Sequence, residues 1–149
     1  MRFFGRRPSD PNADADLLMQ TLVPGAEPIR LVSFYPEFSS YYPLCELQTK
    51  RFMVEHVSSD WVSLDIGANI GYFSILLSRL SPRGHVYAFE PTSTFEMLTR
   101  NLQYAETTNV TPIKKAVGEQ SGRFVEPIYR MWGTPPEVTS ADFVTIDEF

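Results

Sequence analysis

The segment VSLDIGANIGYFSILLSRL, residues 62–80, decides the fold. It begins as a short apolar run, reaches Asp65, and turns through Gly67 and Gly71. A short apolar run of this kind is typical of a strand, and residues 61–66 are expected to be covered on both faces. Apolar residues then recur at intervals of three and four, which predicts one buried face of a helix: Ile70, Phe73, Leu77 and Leu80. The segment therefore predicts a strand, a glycine turn and a helix.

The same rhythm continues downstream. Residues 85–89, HVYAF, are expected to form a second strand that ends at Glu90, and residues 109–117, NVTPIKKAV, a third strand, which Pro112 places at an edge. Between them, a second helix is predicted by an apolar stripe: Phe95, Leu98, Leu102 and Ala105. Strands that alternate with helices over short connections predict an α/β fold with a doubly wound, mainly parallel sheet.

The flanking segments are less regular. Residues 1–16 are polar and expected to be mobile, and residues 17–60 form an N-terminal extension before the sheet at 61–149. The aromatic stretch 33–43 predicts either a lid over a ligand or rings that fasten the extension to the domain. Residues 44–57 are expected to form a helix with this apolar face: Leu47, Phe52, Met53 and Val57. After Gly118, strands at 123–129 and 143–146, joined by a loop, predict an excursion from the sheet.

Composition excludes several classes of protein. The chain has 149 residues, which is the size of one domain or of part of a larger one, and its net charge of −5 disfavours nucleic acid as a partner. A single cysteine, Cys45, excludes an internal disulfide and favours a cytoplasmic location. The basic N-terminus lacks the apolar segment of a signal peptide, and no run approaches the roughly 18 apolar residues of a membrane span.

The candidate ligand-binding residues lie at the carboxyl ends of the first two strands, which is where open α/β sheets bind their ligands. Asp65, Gly67, Asn69 and Gly71 follow the first strand, and Glu90 follows the second. Glycines allow a sharp turn and a close approach to the backbone, and a carboxylate at Glu90 can accept hydrogen bonds from ribose hydroxyls. The arrangement predicts a ligand that contains a nucleoside.

Two cofactors that contain a nucleoside are candidates for this site. A nicotinamide dinucleotide favours a GxGxxG turn, whereas the chain has GANIGYFS, with Asn69 at the second glycine position. Asp65 would repel a pyrophosphate but attract the sulfonium and ammonium groups of S-adenosyl-L-methionine. The methyl donor is therefore favoured. An NAD-dependent oxidoreductase and a noncatalytic nucleoside-binding module remain alternatives.

The chain also resembles a known family over about residues 61–149. The motifs DIGANIGYFS, HVYAFEP, KKAVGEQSG and FVTIDEF, with NL at 101–102 and NV at 109–110, are similar to the FkbM-type S-adenosylmethionine-dependent methyltransferases. The resemblance implies the class I methyltransferase fold and O-methylation of a hydroxyl on a sugar or other small metabolite. It also implies the following cofactor-binding residues: Asp65, Gly67, Ala68, Asn69, Gly71, Tyr72, Phe73, Glu90, Pro91, Ala116 and Val117.

Members of this family continue beyond their counterpart of TIDEF into further strands, so the resemblance implies that the chain is the N-terminal half of such a domain. The catalytic residues are not identified by the sequence. A hydroxyl acceptor needs a general base. His56 and His85 are expected to be structural, and Glu46 is a candidate if its helix packs over the cofactor. No spacing typical of metal ligands is present, so no metal is expected.

Overall fold

The computed structural model describes residues 17–33, 38–129 and 135–149. Residues 1–16, which are expected to be mobile, lie outside this part of the chain, and so do residues 34–37 of the aromatic segment.

A parallel sheet lies at the centre of the fold, and it follows the order β3-β4-β5. Its register sets Asp65 opposite Ala88, and Ala88 opposite Pro112. The elements are β3 Val62–Ile66, α3 Tyr72–Leu80, β4 His85–Phe89, α4 Phe95–Tyr104 and β5 Val110–Ile113. Each helix connects two neighbouring parallel strands, as predicted, and β5 lies at an edge of the described sheet.

The helices cover one face of this sheet. Val86 and Ala88 point into the core there and are buried, as are Ile75 and Leu98 of the two helices. On β3 the opposite face is open, with Val62 67% and Ile66 54% exposed. The expectation that this strand is covered on both faces is therefore wrong for the described residues, because α3 and α4 both pack on the same side.

The N-terminal extension packs on the helical side of the sheet. An antiparallel hairpin, which the sequence analysis did not predict, joins β1 to β2. The elements are β1 Leu17–Thr21, β2 Ile29–Ser33, α1 Phe38–Tyr41 and α2 Leu47–His56. Phe38 and Tyr42 are buried in the same core cluster as Ile75 and Leu98. These aromatic rings fasten the extension to the domain, which is the second of the two predicted roles.

Helix α2 buries only part of its predicted face, with Met53 packed against the core, and it also buries Lys50. Phe52 is 60% exposed, whereas Lys50 is fully buried. The Lys50 ammonium donates hydrogen bonds to the Thr21 hydroxyl and to the Leu22 carbonyl, at 3.0 Å for the latter. Burial lowers the pKa of Lys50. A buried ammonium is tolerated because these oxygens replace its water, and a pattern based on apolar residues does not detect such a contact.

A second, smaller sheet carries the C-terminal part, in the order β6-β8-β7. Its strands are β6 Ala116–Val117, β7 Gly122–Ile128 and β8 Glu137–Val144. The predicted excursion from the main sheet is confirmed, but two boundaries are corrected. The predicted third strand divides into β5 and β6, and β8 begins six residues before the predicted residue 143, because pairing with β7 extends it. In the described chain, no helix combines the length and apolar character needed to cross a bilayer.

Gly71, the residue before α3, has a φ of 94°, and a Cβ added there would lie 2.7 Å from Cδ1 of Leu98. We expect Gly71→Ala to lower the free energy of unfolding by about 1 to 3 kcal/mol, from backbone strain and overpacking together. Urea denaturation measures this loss. In a Leu98→Ala background the overpacking disappears, so a smaller loss is expected there. An equal loss in both backgrounds would contradict the proposed contact.

Candidate functional site

The turn after β3 is held by the end of β4. Gly67 and Ala68 both donate their backbone N–H groups to the Phe89 carbonyl, at 2.9 Å each. The Asn69 N–H donates to Oε2 of Glu90 at 2.9 Å, and the Gly71 N–H donates to the Ala68 carbonyl at 2.8 Å. Positive φ values at Gly67 and Asn69, 77° and 51°, let the chain turn this sharply. The structure therefore brings the predicted residues of both strand ends into direct contact.

Glu90 is 4% exposed and is fixed from both sides. In addition to the bond from Asn69, its Oε1 accepts hydrogen bonds from the backbone N–H and the hydroxyl of Thr92, at 2.8 and 2.6 Å. The Thr92 hydroxyl also contacts the Thr94 hydroxyl at 2.8 Å. Sequence reasoning missed Thr92, although a threonine two residues after a carboxylate commonly hydrogen-bonds locally. A carboxylate offers about four lone-pair sites, so Oε2 retains room for one further donor.

Asp65 lies against the first turn of α3. Its Oδ2 accepts a hydrogen bond from the Ser74 hydroxyl at 2.5 Å. The pKa of Asp65 is raised to about 6; burial is the largest cause, hydrogen bonds from Ser74 oppose it, and the charges of Glu90 and Glu46 raise it further. Asp65 therefore lies at the N-terminal end of α3. Near neutral pH its carboxylate is ionised next to two other acidic side chains.

Tyr72 and Phe73 open α3, and their ring centroids are 4.1 Å apart. The buried Tyr72 ring contacts Tyr42, with the centroids 5.0 Å apart, and its hydroxyl donates a 2.7 Å hydrogen bond to Oε1 of Glu46. Burial, followed by this hydrogen bond, raises the pKa of Tyr72. Glu46 itself is exposed and precedes α2. The N-terminal extension thus brings a third carboxylate close to the turn.

The remaining predicted residues lie at or beyond the sheet edge. Pro91 follows Glu90 directly and is partly exposed. The prediction that Ala116 and Val117 end the third strand is wrong. They form β6, which pairs with β8. The chain still leaves β5 beside the site, because the Glu90 N–H donates to the Ile113 carbonyl at 3.1 Å.

Both histidines lie away from the turn. His85 begins β4 at the opposite end of the strand, with its Nε2 2.8 Å from the Thr111 hydroxyl, and His56 ends α2. Among the residues that the structure describes, no group of three or more His, Cys, Asp or Glu side chains is arranged to hold a metal ion. Carboxylates and backbone amides are the polar groups that the structure brings together at the turn.

Comparison with known proteins identifies the fold. No protein-family model matches the chain, and no curated protein matches it. Among solved structures, M. jannaschii TYW2 in complex with AdoMet matches with a TM-score of 0.51 and 19% identity, over 74% of this chain and 45% of that one. P. horikoshii TYW2 in complex with MeSAdo matches with a TM-score of 0.48 and 16% identity, over 68% and 37%. The precorrin-6y C5,15-methyltransferase of Geobacter metallireducens matches with a TM-score of 0.42 and 28% identity, over 46% and 37%.

The chain has the class I methyltransferase fold, which is a Rossmann-like α/β fold with a parallel sheet. It spans less than half the length of these solved proteins, between 37% and 45%.

The raised pKa of Asp65 predicts that the stability of the protein depends on pH. Because its pKa in the folded protein is about 6, above the roughly 3.9 of an unfolded aspartate, the ionised carboxylate costs stability above about pH 6. That cost disappears as the pH falls through 6 towards 4. We expect Asp65→Asn to raise the melting temperature at about pH 8 but to change it less at about pH 4. Melting curves at the two pH values measure this difference, and a lower melting temperature at about pH 8 would contradict it.

Proposed function

We propose that this turn binds S-adenosyl-L-methionine and that the chain is the cofactor-binding part of a methyltransferase. The proposal rests on the observation that the backbone N–H groups of the turn already donate hydrogen bonds within the protein. Those of Gly67, Ala68, Asn69 and Gly71 all donate to oxygens of the protein. A pyrophosphate requires such N–H groups and the positive end of the following helix. Here Asp65 already lies at that helix end, so a dinucleotide is disfavoured.

The residues fit the methyl donor. A Cβ added at Gly67 would meet nothing within 4 Å, so this side of the turn has room for a ligand. Asp65 would hold the ammonium group, and the remaining lone pair on Oε2 of Glu90 would accept a ribose hydroxyl. Tyr72 and Phe73 would pack near the methionine end, and Pro91, Ala116 and Val117 would line the adenine side. The solved M. jannaschii TYW2 with AdoMet shares this fold.

The finer proposal follows from the resemblance stated above, an FkbM-type enzyme that methylates a hydroxyl of a small metabolite. The bound cofactor would supply a methyl group on a positively charged sulfur. The chain would have to remove the acceptor's proton, and Glu46 is the proposed general base, because it is exposed and is oriented by the Tyr72 hydroxyl. The net charge of −5 favours a small acceptor over nucleic acid.

Calorimetric titration with S-adenosylhomocysteine, combined with a methyl-transfer assay over a panel of hydroxyl compounds, tests the function. Binding with methyl transfer is the expected result. Binding without transfer to any acceptor would favour the noncatalytic nucleoside-binding module. Absence of binding would contradict the proposed site.

A further inference from the structure

One buried side chain joins the glycine turn to the N-terminal hairpin. Asn101 of α4 is fully buried. Its Nδ2 donates to the Ile70 carbonyl at 2.8 Å and to the Val32 carbonyl at 3.0 Å, and its Oδ1 accepts from the Val32 N–H at 2.7 Å. The side-chain amide of Asn101 thus forms with Val32 the two hydrogen bonds that a neighbouring strand would form. Its bond to the Ile70 carbonyl also holds the turn.

We infer that Asn101 is a positioning residue for the cofactor turn. Ile70 lies between Asn69, whose N–H fixes Glu90, and Gly71, which begins the helix that carries Ser74 and contacts Asp65. A buried carbonyl without a partner is costly, so loss of the Asn101 amide would favour a shift of Ile70. Such a shift would move the backbone on both sides of it and with it both carboxylates. Asn101 therefore acts on the ligand through the turn and does not touch it.

The chain provides a matched control at the other end of the sheet. Asn109 precedes β5, and its Nδ2 donates to three backbone carbonyls, the shortest bond being that to Ser81 at 2.8 Å. Its Oδ1 accepts from the Ser78 hydroxyl at 2.5 Å. Both asparagines therefore tie backbone segments together with a similar set of bonds, but only Asn101 reaches the turn.

The inference rests on the proposed cofactor site, so the test includes a measurement without cofactor. We expect Asn101→Ala to weaken S-adenosylhomocysteine binding by about tenfold or more, and Asn109→Ala by less than about twofold, at a temperature where both variants are folded. In the ligand-free protein, Asn101→Ala should accelerate hydrogen exchange at Gly67, Ala68 and Asn69 more than at Val86 in β4. Asn109→Ala should not produce this contrast.

Equal weakening of binding by both variants would overturn the inference, as would unchanged exchange at the turn in Asn101→Ala. If the wild-type protein does not bind S-adenosylhomocysteine, the proposed function fails, and the exchange contrast still decides the role of Asn101. If Asn101→Ala does not fold, the wild-type NMR spectrum decides. Addition of S-adenosylhomocysteine should then shift the side-chain amide resonances of Asn101 but not those of Asn109, and an unshifted Asn101 would overturn the inference.

Discussion

Glu90→Gln is expected to weaken S-adenosylhomocysteine binding by about 10- to 100-fold, the usual cost of losing a charge-assisted hydrogen bond. Glutamine has nearly the same shape, but one carboxylate oxygen becomes an NH₂ group that can only donate. In the structure, both oxygens of Glu90 face donors, namely the Asn69 N–H on one side and the Thr92 N–H and hydroxyl on the other. Either orientation of the amide therefore places two donors against each other.

Glu126→Gln is the control, because Glu126 is exposed on β7 in the second sheet. It should bind S-adenosylhomocysteine as the wild type does. Glu90→Gln should also lower the pKa of Asp65, since the Glu90 charge is one of the causes that raise it. If the Glu90→Gln variant binds S-adenosylhomocysteine with wild-type affinity, the assignment of Glu90 to the site is wrong.

Gly84→Ala is expected to destabilise the domain by about 3 kcal/mol or more, which is the severe range for overpacking. A Cβ at this position would lie 1.8 Å from the carbonyl oxygen of Trp61 and 2.7 Å from its carbonyl carbon. The contact is with backbone just before β3, and the Trp61 carbonyl also accepts the His85 N–H at 3.2 Å. Relief of the overlap would therefore separate β3 from β4.

Urea denaturation followed by circular dichroism measures this loss, with Gly67→Ala as the comparison. A Cβ at Gly67 meets nothing within 4 Å, so only its positive φ opposes alanine and a loss of about 1 to 2 kcal/mol is expected. If Gly84→Ala is as stable as Gly67→Ala, the close pairing of β3 and β4 at this end is wrong.

The central sheet was predictable because its signals are local. The apolar run before Asp65, the glycine turn and the helical spacing after it each depend on neighbouring residues, and the resulting parallel order β3-β4-β5 is observed. The convergence of Asp65 and Glu90 followed from topology, since the carboxyl ends of parallel strands share an edge. The hairpin of β1 and β2 was missed, although Pro24 and Gly25 between two apolar runs are a turn signal.

Individual side-chain contacts within the N-terminal extension, and between it and the rest of the chain, were not predictable. Asn101 and Val32 are 69 positions apart in the sequence, and an asparagine inside a helix carries no sign of a buried partner. Lys50 is similar, because a period count assigns lysine to the solvent face, whereas in the structure oxygens of Thr21 and Leu22 surround its ammonium. The contact of Tyr72 with Glu46 depends on how α2 packs against α3, which the sequence does not specify.

The central claim is that the turn after β3 is adapted to a cationic methyl donor and not to a pyrophosphate. Direct competition between S-adenosylhomocysteine and NADH, followed by calorimetry on the wild-type protein, tests this claim most directly. We predict that S-adenosylhomocysteine binds and that excess NADH does not displace it. A pyrophosphate requires free N–H groups and a free helix end, whereas the N–H groups of the turn already donate to oxygens of the protein and Asp65 lies at the helix end. Binding of NADH, with displacement of S-adenosylhomocysteine, would contradict it.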